Sequence, residues 1–226
     1  MVKREPIAEP NGRLIVVEGI DGSGKSTQLH LLDKWLRSLG LRVFFTEWNS
    51  SDVVKEITSK GKKKALLTPT TFSLLHATDF ADRYERNISP LLEADYFVLA
   101  DRYIYTLMAR DAVRGISIRW SHNLFGFAMK PHLVFYLDVD PNELVHRVFQ
   151  KNSSLDYYES GADLGLSDNM LKSFLIYQGL LAKQFRKMQK KYGLVPINGN
   201  RSILEISKDL QKKIDDFLKI SLHAPT

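Results

Sequence analysis

The sequence predicts an α/β fold, a five-stranded parallel sheet with helices on both faces. Three observations predict it. Short aliphatic runs alternate with longer segments of helical period. The runs are continuously apolar, as strands covered on both faces must be. A glycine-rich turn, "VVEGIDGSGKSTQ" at 16–28, joins the first run to the first helical pattern.

The candidate strands are 14–17, 42–46, 96–100, 133–137 and 194–197. Pro196 cannot donate to a ladder, so the last of them is the expected edge strand. After the first strand, Leu29, Leu32, Leu36 and Leu39 share one helical face, and Gly40 supplies the stop signal. A helix is also expected over 76–86. Leu171, Phe174, Leu175, Leu181, Phe185 and Met188 mark a long helix, and Ile203, Ile206, Leu210, Ile214 and Phe217 a terminal one. These stripes read as core or subunit interface.

Length and composition set the outer limits. A chain of 226 residues with 44% hydrophobic content can bury a full core, and no repeat or low-complexity linker divides it. One domain over 13–220 is therefore expected, behind a flexible N-terminal arm at 1–12 that is charged and interrupted by prolines. That arm has no secretory apolar core. No run is apolar enough to span a bilayer, which predicts a cytoplasmic protein without a membrane role. The absence of cysteine rules out disulfides and thiolate chemistry. The net charge of +6 suits either nucleic acid or small phosphorylated ligands. Its densest run, "KGKKK" at 60–64, reads as a solvated helix end or loop, which counts against nucleic acid.

The turn fits G-x-x-x-x-G-K-[ST] from Gly19 through Ser26, between a strand and a helix as its mechanism requires. A chance match in a chain of this length is about one in a hundred at average glycine usage. Gly19, Gly22 and Gly24 let the backbone approach phosphates, and the amides of the segment that includes Ser23 and Thr27 form an anion cradle at a helix N-terminus. Lys25 reaches the outer phosphates, and the Ser26 hydroxyl is a Mg²⁺ ligand.

The third strand ends "FVLADRY", which puts Asp101, Arg102 and Tyr103 at its carboxyl end, where ligands of open α/β sheets sit. There an acid can hold a magnesium-bound water and an arginine can hold a phosphoryl group. On the tripeptide alone, a surface ion pair is an equal alternative. In "HATDFADRYER" (76–86), helical spacing sets Asp79 near Arg83 and Asp82 near Arg86. Ordinary intrahelical pairs and one phosphate-binding arginine both stay open for this segment.

Together "EGIDGSGKST" (18–27), "ADR" (81–83), "DRY" (101–103), "LDVDPNELVHR" (137–147) and "YYESG" (157–161) resemble the thymidylate kinases, P-loop enzymes that move the γ-phosphoryl group of ATP onto dTMP. The resemblance covers about 13–215. It implies that Lys25 and Ser26 serve ATP and Mg²⁺, and that Asp21 faces the acceptor's sugar or orients its phosphate. It further implies that Asp101 acts near magnesium, that Arg83 and Arg102 neutralise the acceptor phosphate, and that Tyr103 adjoins it. A lid over ATP at about 148–166, with Arg147 where it begins, and a homodimer follow from the same likeness. Phosphoryl transfer needs alignment and charge neutralisation more than a strong base, so the scattered His30, His76, His122, His132 and His146 read as structural.

Three positions depart from the family pattern. The stretch after the second strand, "TEWNSSD", lacks the arginine that many relatives aim at the acceptor. Asp79 stands where a phenylalanine commonly stacks on thymine, with Trp48 as another possible aromatic wall. The lid "QKNSSLDYYESGADLG" carries no arginine and the loop position is Gly22, leaving Arg147 or Lys151 to compensate. Two other readings therefore stay open. One is a kinase with another acceptor, a deoxynucleoside with Glu47 as its base or a different monophosphate. The other is a nucleotide-dependent regulator or nucleic-acid-binding ATPase that has lost transfer.

Overall fold

The structure, a computed structural model, describes residues 12–150 and 155–223. Its sheet holds β1 (Arg13–Gly19), β2 (Val43–Glu47), β3 (Phe97–Asp101), β4 (Leu133–Asp138) and β5 (Val195–Asn198), in the order β2-β3-β1-β4-β5. Every pairing is parallel. Each strand lies within two residues of its predicted span, and Pro196 sits on the edge strand.

Alternation along the strands divides the core into two layers. Ile15, Val17, Leu99, Phe135 and Leu137 point to one face, where they meet Leu29, Leu32 and Leu36 of α1 (Lys25–Ser38) and Ile206, Leu210 and Ile214 of α9 (Ile203–His223). Leu14, Val16, Val98, Ala100 and Tyr136 point to the other. There they meet α5 (Ile104–Val113) and α8 (Met170–Tyr192), the latter through Phe174, Leu181, Phe185 and Met188. Each fully buried leucine contributes roughly 2 kcal/mol of hydrophobic transfer. Two predicted stripe members are exposed. Leu39 is 53% exposed because α1 ends at Ser38, and Ile203 is 56% exposed in the first turn of α9.

Five more α-helices stand among the described residues: α2 (Lys55–Lys63), α3 (Pro69–Arg83), the short α4 (Ser89–Glu93), α6 (Ile118–Leu124) and α7 (Pro141–Gln150). Thr68 caps α3 by accepting the Thr71 N–H, and Pro69 occupies the first turn, where no donor is needed. The helix expected over 76–86 is longer at both ends. A π-helical turn, Tyr84–Ile88, carries α3 into α4. Among the described residues no helix is long and apolar enough to cross a membrane.

The strand order reverses at β1, so its carboxyl end opens between β3 and β4, the crevice where open α/β sheets place ligands. Register fixes what stands there. Val17 and Glu47 both pair with Asp101, and Gly19 pairs with Leu137.

Candidate active site

The turn after β1 wraps the first amides of α1 around this crevice. Gly24, the residue before α1, takes φ 96°, a left-handed conformation that L side chains rarely adopt. A Cβ on Gly19 would stand 2.7 Å from Ser23 Oγ and 3.1 Å from the Leu137 carbonyl. Lys25 leads back over the turn, its Nζ donating to the Ile20 carbonyl (2.9 Å) and Ser23 Oγ (3.4 Å). Burial and the neighbouring Arg102 push its amine down to about 8, against the pull of Asp101, Asp21 and Glu18.

A cavity of about 330 Å³ lies over this turn. Asp21, Gly22, Gly24, Lys25, Ser26 and Thr27 of the turn and the start of α1 line it together with Glu47, Trp48, Asp101 and Arg102 from the ends of β2 and β3, and Arg147, Leu155, Glu159 and Phe174 complete the lining. Ser26 Oγ donates to Asp101 Oδ2 at 2.7 Å, while Asp101 Oδ1 is buried without a partner among the described residues. A hydroxyl beside a carboxylate with a spare oxygen is a donor set suited to a hard divalent cation.

Asp21 is the junction of the acidic side. One oxygen takes Arg102 Nη2; the other takes Arg110 Nη2 at 3.2 Å and Gln178 Nε2 at 3.0 Å. Burial opposes its ionisation, but the Arg102 and Arg110 guanidinium groups outweigh burial and hold the carboxyl well below the usual range. The negative charge of Asp21, together with burial, raises Glu159 in turn, against Arg110 and Arg102.

Arg102 is held in an uncommon way. Its φ is 69°, strained for a non-glycine residue, and its N–H donates to the Val17 carbonyl at 3.2 Å. Next to it, the buried Glu18 accepts the N–H groups of Tyr103 (2.8 Å) and Thr106 (3.2 Å), capping α5 from within β1. Burial raises the Glu18 carboxyl to about 7, and the Thr106 and Tyr103 hydrogen bonds only partly oppose it. A carboxyl whose folded value lies above its ordinary 4.5 contributes stability below about pH 4.5 that is lost as pH rises through about 7. Urea titrations at pH 5 and pH 8 should show the native protein losing up to ~3 kcal/mol relative to Glu18→Gln over this interval. Equal pH dependence in the two proteins would contradict a titrating Glu18.

Several predicted residues do not reach the cavity. Arg83 is 1% exposed, with Nε on Asp79 at 3.1 Å and Nη1 on Thr46 Oγ1 at 3.1 Å. Asp79 also accepts the N–H groups of Asn49 (3.2 Å) and Ser51 (2.9 Å), so it ties the loop after β2 to α3. The i,i+4 geometry that made an ion pair the plain alternative is what the helix adopts, at Asp82 and Arg86 as well. Tyr103 is fully buried, its hydroxyl on the Met129 carbonyl at 3.1 Å, because the residue that follows Arg102 turns under α5. Gly19 and Ser23 shape the turn without lining the cavity. Arg147 does line it, with Nη1 on the Ser23 carbonyl (3.2 Å) and Nη2 on that of Gly199 (2.8 Å). Lys151 lies outside the described residues, as does part of the expected lid at 151–154. The rest of that segment is tied down by Tyr158, whose hydroxyl donates to the Leu67 carbonyl at 3.2 Å, and by Asp163, which accepts Arg114 Nε at 2.8 Å.

The spacing-based reading missed Glu18, Arg110, Glu159 and Gln178. Arg110 left one sign, a single cation beside Asp111 in the largely apolar "YTLMARDAV", since charges are rarely buried unless paired.

Residues 17–209 match the sequence model described as thymidylate kinase. The chain is 40% identical over 212 residues to "Probable thymidylate kinase 2" of Saccharolobus solfataricus, an alignment covering 93% of this chain and 99% of that protein. It is 30% identical over 207 residues to "Probable thymidylate kinase" of Thermococcus onnurineus, with 87% and 94% covered. The protein of the same name from Thermococcus kodakarensis is 36% identical over 143 residues, 59% of this chain and 70% of that one.

Proposed function

This chain belongs to the thymidylate kinase family, and from that premise we propose that it transfers the γ-phosphoryl group of ATP to dTMP, giving dTDP, with its residues in the following roles. The observation that carries the reading is one cavity lined both by a phosphate-loop helix terminus and by the Asp21–Arg102 pair. The amides around Gly24 and Lys25 hold the triphosphate. Ser26 and Asp101 hold Mg²⁺, for which the spare Asp101 oxygen is the fitting feature; the ion, when bound, screens charge on the phosphates. Asp21 fixes Arg102 toward the acceptor phosphate, and Arg147 braces the loop through the Ser23 carbonyl. Alignment and charge neutralisation lower the barrier without a strong base. Pairing of two copies is part of the proposal, supported by the exposed Leu74, Ile118, Trp120 and Phe127.

A second reading, transfer to a deoxynucleoside hydroxyl, is favoured by Glu47, an exposed carboxylate that lines the cavity at the end of β2, opposite Asp101 in the sheet. One assay decides between them: ADP release from MgATP with a panel of nucleoside monophosphates and deoxynucleosides. Turnover with dTMP is expected. No ADP with any pyrimidine monophosphate overturns the first reading, and turnover with a deoxynucleoside that Glu47→Gln abolishes establishes the second.

A further inference from the structure

Arg110 is the cation that the arrangement above leaves unexplained. It stands in the middle of α5 at 2% exposure, where a guanidinium is rarely found unless its charge is fully matched. Its only hydrogen-bonding anion among the described residues is Asp21, and Arg102 already occupies the other oxygen of that carboxylate. Two full positive charges thus converge on one negative charge. Moreover, Arg110 Nε and Nη1 are buried with no hydrogen-bond partner, an expensive omission for a charged group. The groups around it do not supply the missing acceptors. The Trp48 ring lies 5.6 Å from the guanidinium carbon, and Lys62 adds repulsion. Glu159 and Asp156 attract it from a distance without a hydrogen bond.

Two guanidinium groups share a carboxylate of the phosphate loop, Arg102 in the lining of the cavity and Arg110 just outside that lining, against Trp48 and with unused donors, and together they form a fork suited to a doubly charged oxyanion. Arg83, the other arginine expected to meet the acceptor, also has one buried nitrogen without a partner, Nη2, but it shares its carboxylate, Asp79, with no second cation among the described residues. We propose that Arg110 is a second acceptor-binding arginine, which with Arg102 grips the phosphate of the incoming nucleoside monophosphate. It supplies from helix α5 the guanidinium that the "TEWNSSD" loop and the lid lack. Trp48, which lines the cavity and covers the guanidinium, is the side chain that the entering nucleotide displaces or stacks on.

The inference rests on the monophosphate reading above, so its test uses a pair of ligands that differ only in the phosphate. In the unsubstituted protein, Arg110→Lys and Arg110→Met, the KM for dTMP, the KM for ATP and the inhibition constant of thymidine are measured under MgATP, with folding checked by circular dichroism. For Arg110→Met the KM for dTMP should rise about 10- to 100-fold, as expected for a charged hydrogen-bonding group lost from a dianion, while the values for ATP and thymidine stay within about threefold. Arg110→Lys, which keeps the charge and loses the fork, should fall between. Equal weakening of dTMP and thymidine, or no change in either, overturns the proposal and leaves Arg110 as a support for Asp21. If Arg110→Met does not fold, the comparison in Arg110→Lys decides by the same criterion. Should the unsubstituted protein ignore dTMP, the dTMP reading itself has failed. The same comparison, made with whichever monophosphate is phosphorylated and its parent nucleoside, then decides Arg110.

Discussion

Replacement of Lys25 by methionine should lower kcat on the order of 10²- to 10³-fold while leaving the folded state nearly as stable as before. The two halves of this expectation have different causes. The Nζ group sits on the Ile20 carbonyl and Ser23 Oγ, poised over the turn rather than paired with a carboxylate. The Ser23 N–H also reaches the Ile20 carbonyl at 3.2 Å, so the turn keeps its closing bond without the lysine. The lost hydrogen bonds cost about 1 kcal/mol, and relief from burying a cation beside Arg102 offsets part of that. In the proposed role, what methionine cannot replace is positive charge against the outer phosphates as they pass through the transition state. Steady-state kinetics beside a urea titration separates the effects, and a variant as active as the parent contradicts the role. The same proposed role should make ATP binding pH-dependent. With its amine pushed down to about 8, Lys25 loses its proton as pH rises above that value, and ATP affinity should fall there in the native protein.

The glycine-rich turn between β1 and α1 was legible because its motif is local. The turn, its strand and its helix are contiguous, and the chemistry depends on backbone amides whose placement glycine spacing dictates. The five strands were legible for a similar reason, since continuous apolar runs have few other destinations in a chain this size. The acceptor side was not. Asp79 and Arg83 form the helical pair their spacing allows, yet nothing in the spacing says that Asp79 also ties down the amides of Asn49 and Ser51, 30 and 28 positions away. Glu18 looks like one more residue of a strand, and only the fold reveals that it caps a helix beginning 86 residues later, from Glu18 to Ile104. Arg110 reaches Asp21 across a separation of 89. Contacts of that kind are set by strand order and helix docking, which local periodicity does not encode.

The same long-range junction yields the largest expected loss of stability. Asp21→Ala should destabilise the protein by about 3–5 kcal/mol, because it strands two buried guanidinium groups rather than merely deleting an attraction. The side chains of Arg102, Arg110 and Asp21 are 11%, 2% and 12% exposed, so water cannot take the place of the carboxylate at Arg110, and added salt should recover little. Gln178 loses its Asp21 oxygen as well, though its Oε1 keeps the residue-21 N–H at 3.0 Å and its Nε2 keeps the Glu159 carbonyl. For a chain of this length a loss of that size lowers Tm by roughly 6–20 °C. Because the penalty comes mainly from the unpaired cation, adding Arg110→Met to Asp21→Ala should restore part of the stability, giving a coupling of about 1–3 kcal/mol in a double-mutant cycle. Calorimetry on the four proteins measures it. If the two substitutions add without coupling, or Asp21→Ala costs less than about 1 kcal/mol, Arg110 finds other partners and its charge is not held for an incoming anion. The cycle therefore tests, without any substrate, the imbalance of charge from which an acceptor role for Arg110 was derived.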